Sequence, residues 1–335
     1  MGHWWQELGG DRRKGIALAC GKVLACLVVL AGCVWGMAEL EKRVLGHPGR
    51  GPVAARVQLC ALPDWMPAPI AEGIARSVLP EDADLNDRQL TEKAYKSLSA
   101  NPWVRKVLRV EKRLTADPHV GVLEVDAEYR KPVARVPLRG ARSYAYVSDD
   151  AYRLPDAVPH WVAWVPTRDG QSGKWTYFLQ RNDMPPIAAT GKAWEVHYMT
   201  ITGVAHDAPE VGQRWEGGDI VAGLRLVGLL WDRQYVLQIA EVRVANASKP
   251  DPELTILARQ KARSPETVIL FGRFPNPEGD WVVPPDRKLQ NLDRYVRAGK
   301  GTLAGLAQSI DLQTDPPTAK PYSSAWQIST TGSRR

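Results

Sequence analysis

Cysteine is scarce in this chain and poorly placed for crosslinking. Of four cysteines, Cys20, Cys26 and Cys33 crowd into one apolar N-terminal run, and only Cys60 lies in the remaining body. No intrachain disulfide framework can form outside that run, so the fold has to rest on packing. There is no C-x-x-C pair, and the six histidines are scattered without H-E-x-x-H, which argues against a zinc site. A basic stripe is lacking too. The formal net charge is +7, but Arg105, Lys106, Arg109, Lys112, Arg113, Arg130 and Lys131 alternate with Glu111, Glu124, Asp126 and Glu128. Nucleic acid requires cations gathered on one face to displace counterions, so no nucleic-acid partner is expected.

Signatures of catalysis are equally thin. Ala298-Gly299-Lys300-Gly301-Thr302 lacks the upstream glycine of a phosphate loop and follows a helical pattern, which predicts a helix C-terminal turn. Gly170-Gln171-Ser172-Gly173-Lys174 has the wrong glycine spacing for a nucleophile elbow. Asp149-Asp150, Glu216 and Asp219 fall in turns, where carboxylates cap backbone amides. Asn246-Ala247-Ser248 fits a glycosylation acceptor, a tripeptide that is frequent by chance. No catalytic residue, metal ligand or cofactor is assigned, and the chain is read as something other than an enzyme.

What the chain does have is a single membrane-length apolar run. Ile16 to Ala38 carries one charge, Lys22, and 23 helical residues at about 1.5 Å each cover the ~30 Å hydrocarbon core. Lys22 lies near the start, where its stem can reach the headgroups. Residues 1–14 then form a tail, 15–40 a transmembrane helix and 41–56 a linker, since Gly-His-Pro-Gly-Arg-Gly-Pro offers no apolar period. Arg12, Arg13, Lys14 and Lys22 before the run balance Lys42, Arg43, Arg50 and Arg56 after it, so charge alone does not orient it. A rival is present in Leu30-Ala31-Gly32-Cys33, which has the form of a lipoprotein cleavage box that would leave Cys33 as a lipidated N-terminus.

The chain's 335 residues suffice for two modest cores, which the sequence places beyond the linker. Val57, Leu59 and Ala61 alternate as a strand. Pro69 to Val78 reads as a helix with Ile70, Ile74 and Val78 on one face. A second helix carries Leu90, Ala94 and Leu98, with Asn86 as its expected cap and Pro102 as its stop. Two alternating strands follow: Leu108, Val110 and Leu114 inward in the first, and Leu123, Val125, Ala127 and Tyr129 inward in the second. If these two pair, a largely cationic row faces an anionic one.

That strand-helix-helix-strand-strand order just past a membrane run, with Asn101-Pro102-Trp103-Val104, Val107 to Arg113 and Glu128-Tyr129-Arg130-Lys131-Pro132-Val133-Ala134 in place, resembles the POTRA domain of the bacterial cell-division family FtsQ/DivIB. Tyr144 to Asp150 with Leu154-Pro155, and Ile201-Thr202-Gly203-Val204 before a helix over Asp219 to Trp231, are similar to that family as well. Strands are expected at Tyr235–Val244, Leu254–Ala258 and Thr267–Phe271, then a helix at Asp286–Arg297 and a final strand at Ser309–Gln313. The resemblance spans most of residues 15–315. It implies an α+β fold, with a POTRA domain at 57–131, a β-rich domain at 132–315 and a flexible tail at 316–335.

The implied function is a non-catalytic scaffold in the bacterial inner membrane, with a cytoplasmic N-terminus and periplasmic domains. The alternative is a POTRA-bearing lipoprotein or envelope-assembly component lipidated at Cys33. The resemblance further implies that a partner's segment docks beside the terminal strand, whose candidate residues are Ser309, Ile310, Asp311, Leu312, Gln313 and Thr314. The implied partners are bitopic, coiled-coil membrane-anchored division proteins, together with the bilayer around residues 16–38. Gln313-Thr314 departs from the family's basic-then-aromatic pattern. Residues 156–199 depart by their length and by Trp161, Trp164, Trp175, Trp194, Pro159, Pro166, Pro185 and Pro186. They predict an inserted hairpin or lobe whose tryptophans fill a small core, with a second contact surface as the bolder reading.

Overall fold

A computed structural model describes residues 10–45, 53–80, 83–117, 120–140, 142–166, 172–185, 193–247, 252–259, 266–275, 282–304 and 308–321. The remaining tail and linker segments, and Ser248 of the glycosylation tripeptide, lie outside the described residues. The fold is mixed α+β, and five α-helices and three sheets are described.

Helix α1, Gly10–Leu45, contains the window Val23–Leu40, with a mean hydropathy of 2.2 and no burial against the rest of the chain. It is long and apolar enough to cross a membrane, or to serve as a signal sequence. It runs unbroken through Cys33.

The first module is built as its periodicities require. Strand β1 is Ala54–Cys60, and helix α2, Ala68–Val78, carries Pro69 in its first turn and buries Ile70, Ile74 and Val78. Helix α3, Leu90–Ala100, buries Leu90, Ala94 and Leu98 and ends at Asn101, whose Oδ1 accepts from the Trp103 N–H at 3.0 Å. Its entry is organised by Asp87, whose Oδ1 accepts from the Gln89 N–H at 2.9 Å, and not by the expected Asn86. Strands β2, Val104–Leu114, and β3, Val120–Tyr129, pair antiparallel, while β1 pairs parallel with β3, giving the order β1-β3-β2.

Lys106 opposes Glu128 and Arg109 opposes Asp126, so the charged rows meet as anticipated, except where Glu111 faces Glu124. The inward face of β2 differs from strict alternation. Register shifts at Val104/Lys106 and Val107/Arg109 turn Val104, Val107 and Val110 inward and leave Leu108 and Leu114 exposed.

The second module is a nine-stranded mixed sheet. In chain order its strands are β4 (Pro132–Pro137), β5 (Tyr144–Ser148), β6 (Arg153–Leu154), β10 (Met199–Thr202), β11 (Ile239–Ala245), β12 (Glu253–Ala258), β13 (Thr267–Gly272), β14 (Gln308–Asp311) and β15 (Thr318–Pro321). Their spatial order is β15-β14-β13-β12-β11-β10-β4-β5-β6. Helix α4, Gly218–Trp231, links the parallel neighbours β10 and β11, and helix α5, Pro285–Ala298, links the parallel neighbours β13 and β14. Ile220, Leu224 and Val227 of α4 and Leu289, Leu292 and Val296 of α5 share one core with Ile256, Ile269, Phe271 and Ile310 of the sheet. The strand expected from Tyr235 starts only at Ile239. Tyr235 is held out of the ladder because its hydroxyl donates to Asp293 Oδ1 at 3.0 Å, and a 3-10 turn intervenes at Val236–Gln238.

Residues between β6 and β10 form the inserted lobe. Strands β7 (Trp161–Pro166), β8 (Gly173–Phe178) and β9 (Ala193–Glu195) make an antiparallel sheet in the order β8-β7-β9. The base of the lobe is joined to the first module. Leu154, Val158 and Tyr198 are buried in one cluster with Trp103, Val104, Val107, Val125 and Ala127.

Candidate interaction surfaces

The terminal edge follows from how β14 is paired. Ile310 and Leu312 point into the apolar core and are fully buried, and the Leu312 N–H donates to the Leu270 carbonyl at 3.0 Å. Ser309 and Asp311 are half-buried, while Gln313 and Thr314 are exposed in the turn that follows. Strand β14 is not the edge that the candidate segment Ser309–Thr314 was expected to supply. It is parallel to β13 on one side and antiparallel to β15 on the other, with Ile310 opposite Ala319. Among the described residues the edge is β15, drawn from residues expected to be flexible tail, and Thr318 and Ala319 are exposed on it.

Helix α5 braces this hairpin. Arg287 Nε donates to Asp315 Oδ2 at 2.8 Å and Asn291 Nδ2 to Asp315 Oδ1 at 3.5 Å, and the Arg287 bond holds the Asp315 carboxyl below its ordinary pKa. Beneath the hairpin lies Lys288, fully buried. Its Nζ donates to the Arg273 carbonyl at 2.9 Å and stands 4.6 Å from the Phe271 ring centre. Burial pushes its pKa down to about 8, against the opposing pull of Asp311.

A second surface is made of side chains. Cross-strand pairing places Trp164 opposite Trp175, and Val162 between Tyr177 and Trp194. These five residues therefore share one face of the lobe, because side chains alternate along a strand. The other face carries the lobe's small core, in which Ala163 and Met184 are buried with Trp161, Val165 and Phe178 against them. Core filling thus explains Trp161 but not the other three. Trp164, Trp175 and Trp194 are 43%, 43% and 47% exposed.

The indoles are nevertheless ordered. The rings of Trp164 and Trp175 meet edge to face, with centres 5.4 Å apart, and those of Trp175 and Trp194 are tilted, with centres 4.9 Å apart. Gly173 makes this possible, since a Cβ there would lie 2.7 Å from the Trp164 ring. The signal was legible as alternation: Val162 and Trp164, then Gly173, Trp175 and Tyr177, are spaced by two.

Between the two modules sits a polar joint. Arg130, the first residue after β3, is buried. It donates from Nε to Asp150 Oδ2 at 2.9 Å and from one terminal nitrogen to the carbonyls of Pro102 at 3.2 Å and Val104 at 2.6 Å, and its guanidinium lies 3.6 Å from the Tyr152 ring centre. Arg105 adds ion pairs to Asp149 at 3.2 Å and Asp150 at 3.7 Å. The Asp149-Asp150 turn therefore works as a receptor for the first module's arginines.

Other polar motifs resolve structurally. Asp219 is buried and accepts from the amides of Ala205 at 2.7 Å and Ile220 at 2.8 Å, closing the turn at the start of α4. The Gly299-Lys300-Gly301 stretch ends α5, with the Gly301 N–H donating to the Val296 carbonyl at 2.8 Å. No group of three or more His, Cys, Asp or Glu able to hold a metal occurs among the described residues. No protein-family model matches this chain, and no curated protein matches it.

Proposed function

We propose that the protein is a non-catalytic, membrane-anchored scaffold resembling the FtsQ/DivIB family, with its two modules exported across a bacterial inner membrane and its N-terminus in the cytoplasm. The β1-α2-α3-β2-β3 module immediately after α1 plays the part of the POTRA domain in this reading. Recruitment runs through β-augmentation. An edge strand presents unpaired amides and carbonyls, so a partner's extended segment adds main-chain hydrogen bonds while nearby side chains select among partners.

The observation that carries the proposal is the exposed position of β15 at the end of a nine-stranded sheet whose next strand is fixed by a buried core. The docking residues become Thr318 and Ala319, with Gln313 and Thr314 of the adjoining turn, while Ser309–Leu312 supply the template beneath. Photoreactive residues placed at Thr318 and Ala319 in cells test this directly. Capture of small bitopic coiled-coil membrane proteins is the expected result. Capture of nothing, or of outer-membrane assembly factors, counts against it.

A further inference from the structure

Which way each residue of the β14–β15 hairpin points decides what its outer rim can hold. The Leu312 N–H donates to the Leu270 carbonyl of β13. A strand residue projects its N–H and C=O to one side and its neighbours project theirs to the other, so Gln308 and Ile310 also face β13 while Ser309 and Asp311 face β15. Opposite those two stand Lys320 and Thr318, whose amides and carbonyls are therefore engaged in the ladder with β14. Ala319 and Pro321, opposite Ile310 and Gln308, turn outward, where the described residues supply no further strand. Pro321 has no amide hydrogen, and neither has Pro317, two positions before Ala319 on the same alternation. Proline is admitted to an edge strand in this way, with its nitrogen turned from the ladder. Among the described residues the Ala319 N–H is thus the rim's one donor, beside the outward carbonyls of Ala319 and Pro321.

We propose that Pro317 and Pro321 close this rim to a second copy of the chain, and that a partner's added strand is centred on Ala319. The inference deepens the reading of β15 as the docking edge and rests on it. Two copies meeting rim to rim, antiparallel about Ala319, would set Pro317 of each against Pro321 of the other. Only the Ala319 pair could exchange hydrogen bonds, and the carbonyls on either side would meet no donor.

An extended segment of another protein fares better, provided that it carries no proline opposite Ala319 or Pro321. Its residue opposite Ala319 exchanges both main-chain bonds, and the residue two places on donates to the Pro321 carbonyl. The side chains of the rim are immaterial to this discrimination. What counts is whether each outward nitrogen carries a hydrogen.

Hydrogen exchange of the full-length protein in detergent micelles should find the Thr318 and Lys320 amides slow and the Ala319 amide fast. A slow Ala319 amide in the monomer overturns the assignment. Self-association, followed by sedimentation, should strengthen about tenfold or more in Pro317→Ala/Pro321→Ala relative to the wild type, as several added main-chain bonds do. That association should protect Ala319 and the two new amides while Thr318 and Lys320 stay slow. No gain in association, a gain that leaves Ala319 fast, or a variant in which Thr318 and Lys320 lose protection each overturns the role given to the prolines. Photocapture of a partner from Thr318 should be lost in Ala319→Pro, which removes the last rim donor at a nitrogen that bonds nothing in β14. Capture that survives Ala319→Pro overturns the role of Ala319. If the wild type captures nothing, the docking reading fails by itself, and the association of the proline variant still decides what the prolines do.

Discussion

The terminal edge and the tryptophan strip present opposite kinds of surface, and the parts of the molecule that hold them differ accordingly. At β15 the surface is main chain. It is sequence-tolerant, and its shape is imposed by a large core beneath β13 and β14. At the lobe the surface is side chain, and the support is a three-stranded sheet over two buried residues, Ala163 and Met184. A backbone edge needs a rigid template but no particular residue at its rim. An aromatic strip needs particular residues and brings part of its own rigidity, through ring contacts and the Gly173 cut-out. Mutations should therefore separate the two surfaces.

The largest effect belongs to the joint between the modules, which serves both. Arg130→Ala would leave Asp150 without its main partner in a poorly hydrated site and strip a donor from the Pro102 and Val104 carbonyls. Removing one partner of a buried pair costs about 3–5 kcal/mol, so urea unfolding should shift markedly and the first module should become protease-sensitive. Arg130→Lys should restore little, since a lysine cannot reach three acceptors or stack on Tyr152 as a planar fork does. Next comes Met184→Ala. Deleting a buried methionine side chain costs about 2–5 kcal/mol, but here the loss falls on a lobe with few other buried contacts. Hydrogen exchange should accelerate across β7–β9 while β13–β15 stay protected. If both regions loosen equally, the lobe and the main sheet are one cooperative unit and the comparison fails.

These expectations also explain what was readable in the residues alone. Helix stripes such as Ile70/Ile74/Val78 and Leu289/Leu292/Val296 are legible because each lies on a face buried against a single layer. Strand β3 is legible for the same reason, as Leu123, Val125 and Ala127 alternate without interruption. Strand β2 misleads because two register shifts convert a period of two into one of three, and a shift leaves no mark in composition. Strand β15 is missed because Thr-Ala-Lys-Pro has neither an apolar alternation nor a favoured strand composition. It is a strand because β14 offers it a ladder, which is tertiary information. For the strip, alternation reveals the two faces of β7 and β8 but not which face the small core occupies.

A pH series sharpens the comparison from the edge side. Lys288 has a folded pKa near 8 against an ordinary value of 10.5. The unfolded chain therefore binds more protons between those values, and stability contributed by this group rises with pH through about 8 to 9.5. Half-buried Tyr129, pushed up to about 12, and Tyr198 and Tyr235, raised by burial, act in the opposite direction above pH 10, where the unfolded tyrosines ionise first. Denaturation midpoints should then rise into a maximum near pH 9.5, worth about 1–2 kcal/mol. Lys288→Met should abolish that rise and leave the later fall. A rise that survives the substitution would assign it to another group. The indoles of Trp164, Trp175 and Trp194 carry no ionisable group, so their ring packing, followed by the near-UV circular dichroism of tryptophan, should be flat from pH 8 to 9.5.

The smallest effect is the most local. Asp315 is held by Arg287 and Asn291 in the turn leading to β15, and its lowered pKa means that this bracing is present at neutral pH and fades as pH falls toward the carboxyl's folded value. An exposed pair of this kind contributes little to stability, so Asp315→Ala should leave global unfolding almost unchanged. It should instead raise exchange rates at the β15 amides that point toward β14, every second one along the strand, because the turn loses its anchor to α5 while β14 remains fixed by Ile310 and Leu312 in the core. If β15 opens without cost to the rest of the sheet, its place beside β14 is a position that another strand can take. If its amides stay protected in Asp315→Ala, β15 is a permanent part of the sheet, and any partner must add outside it.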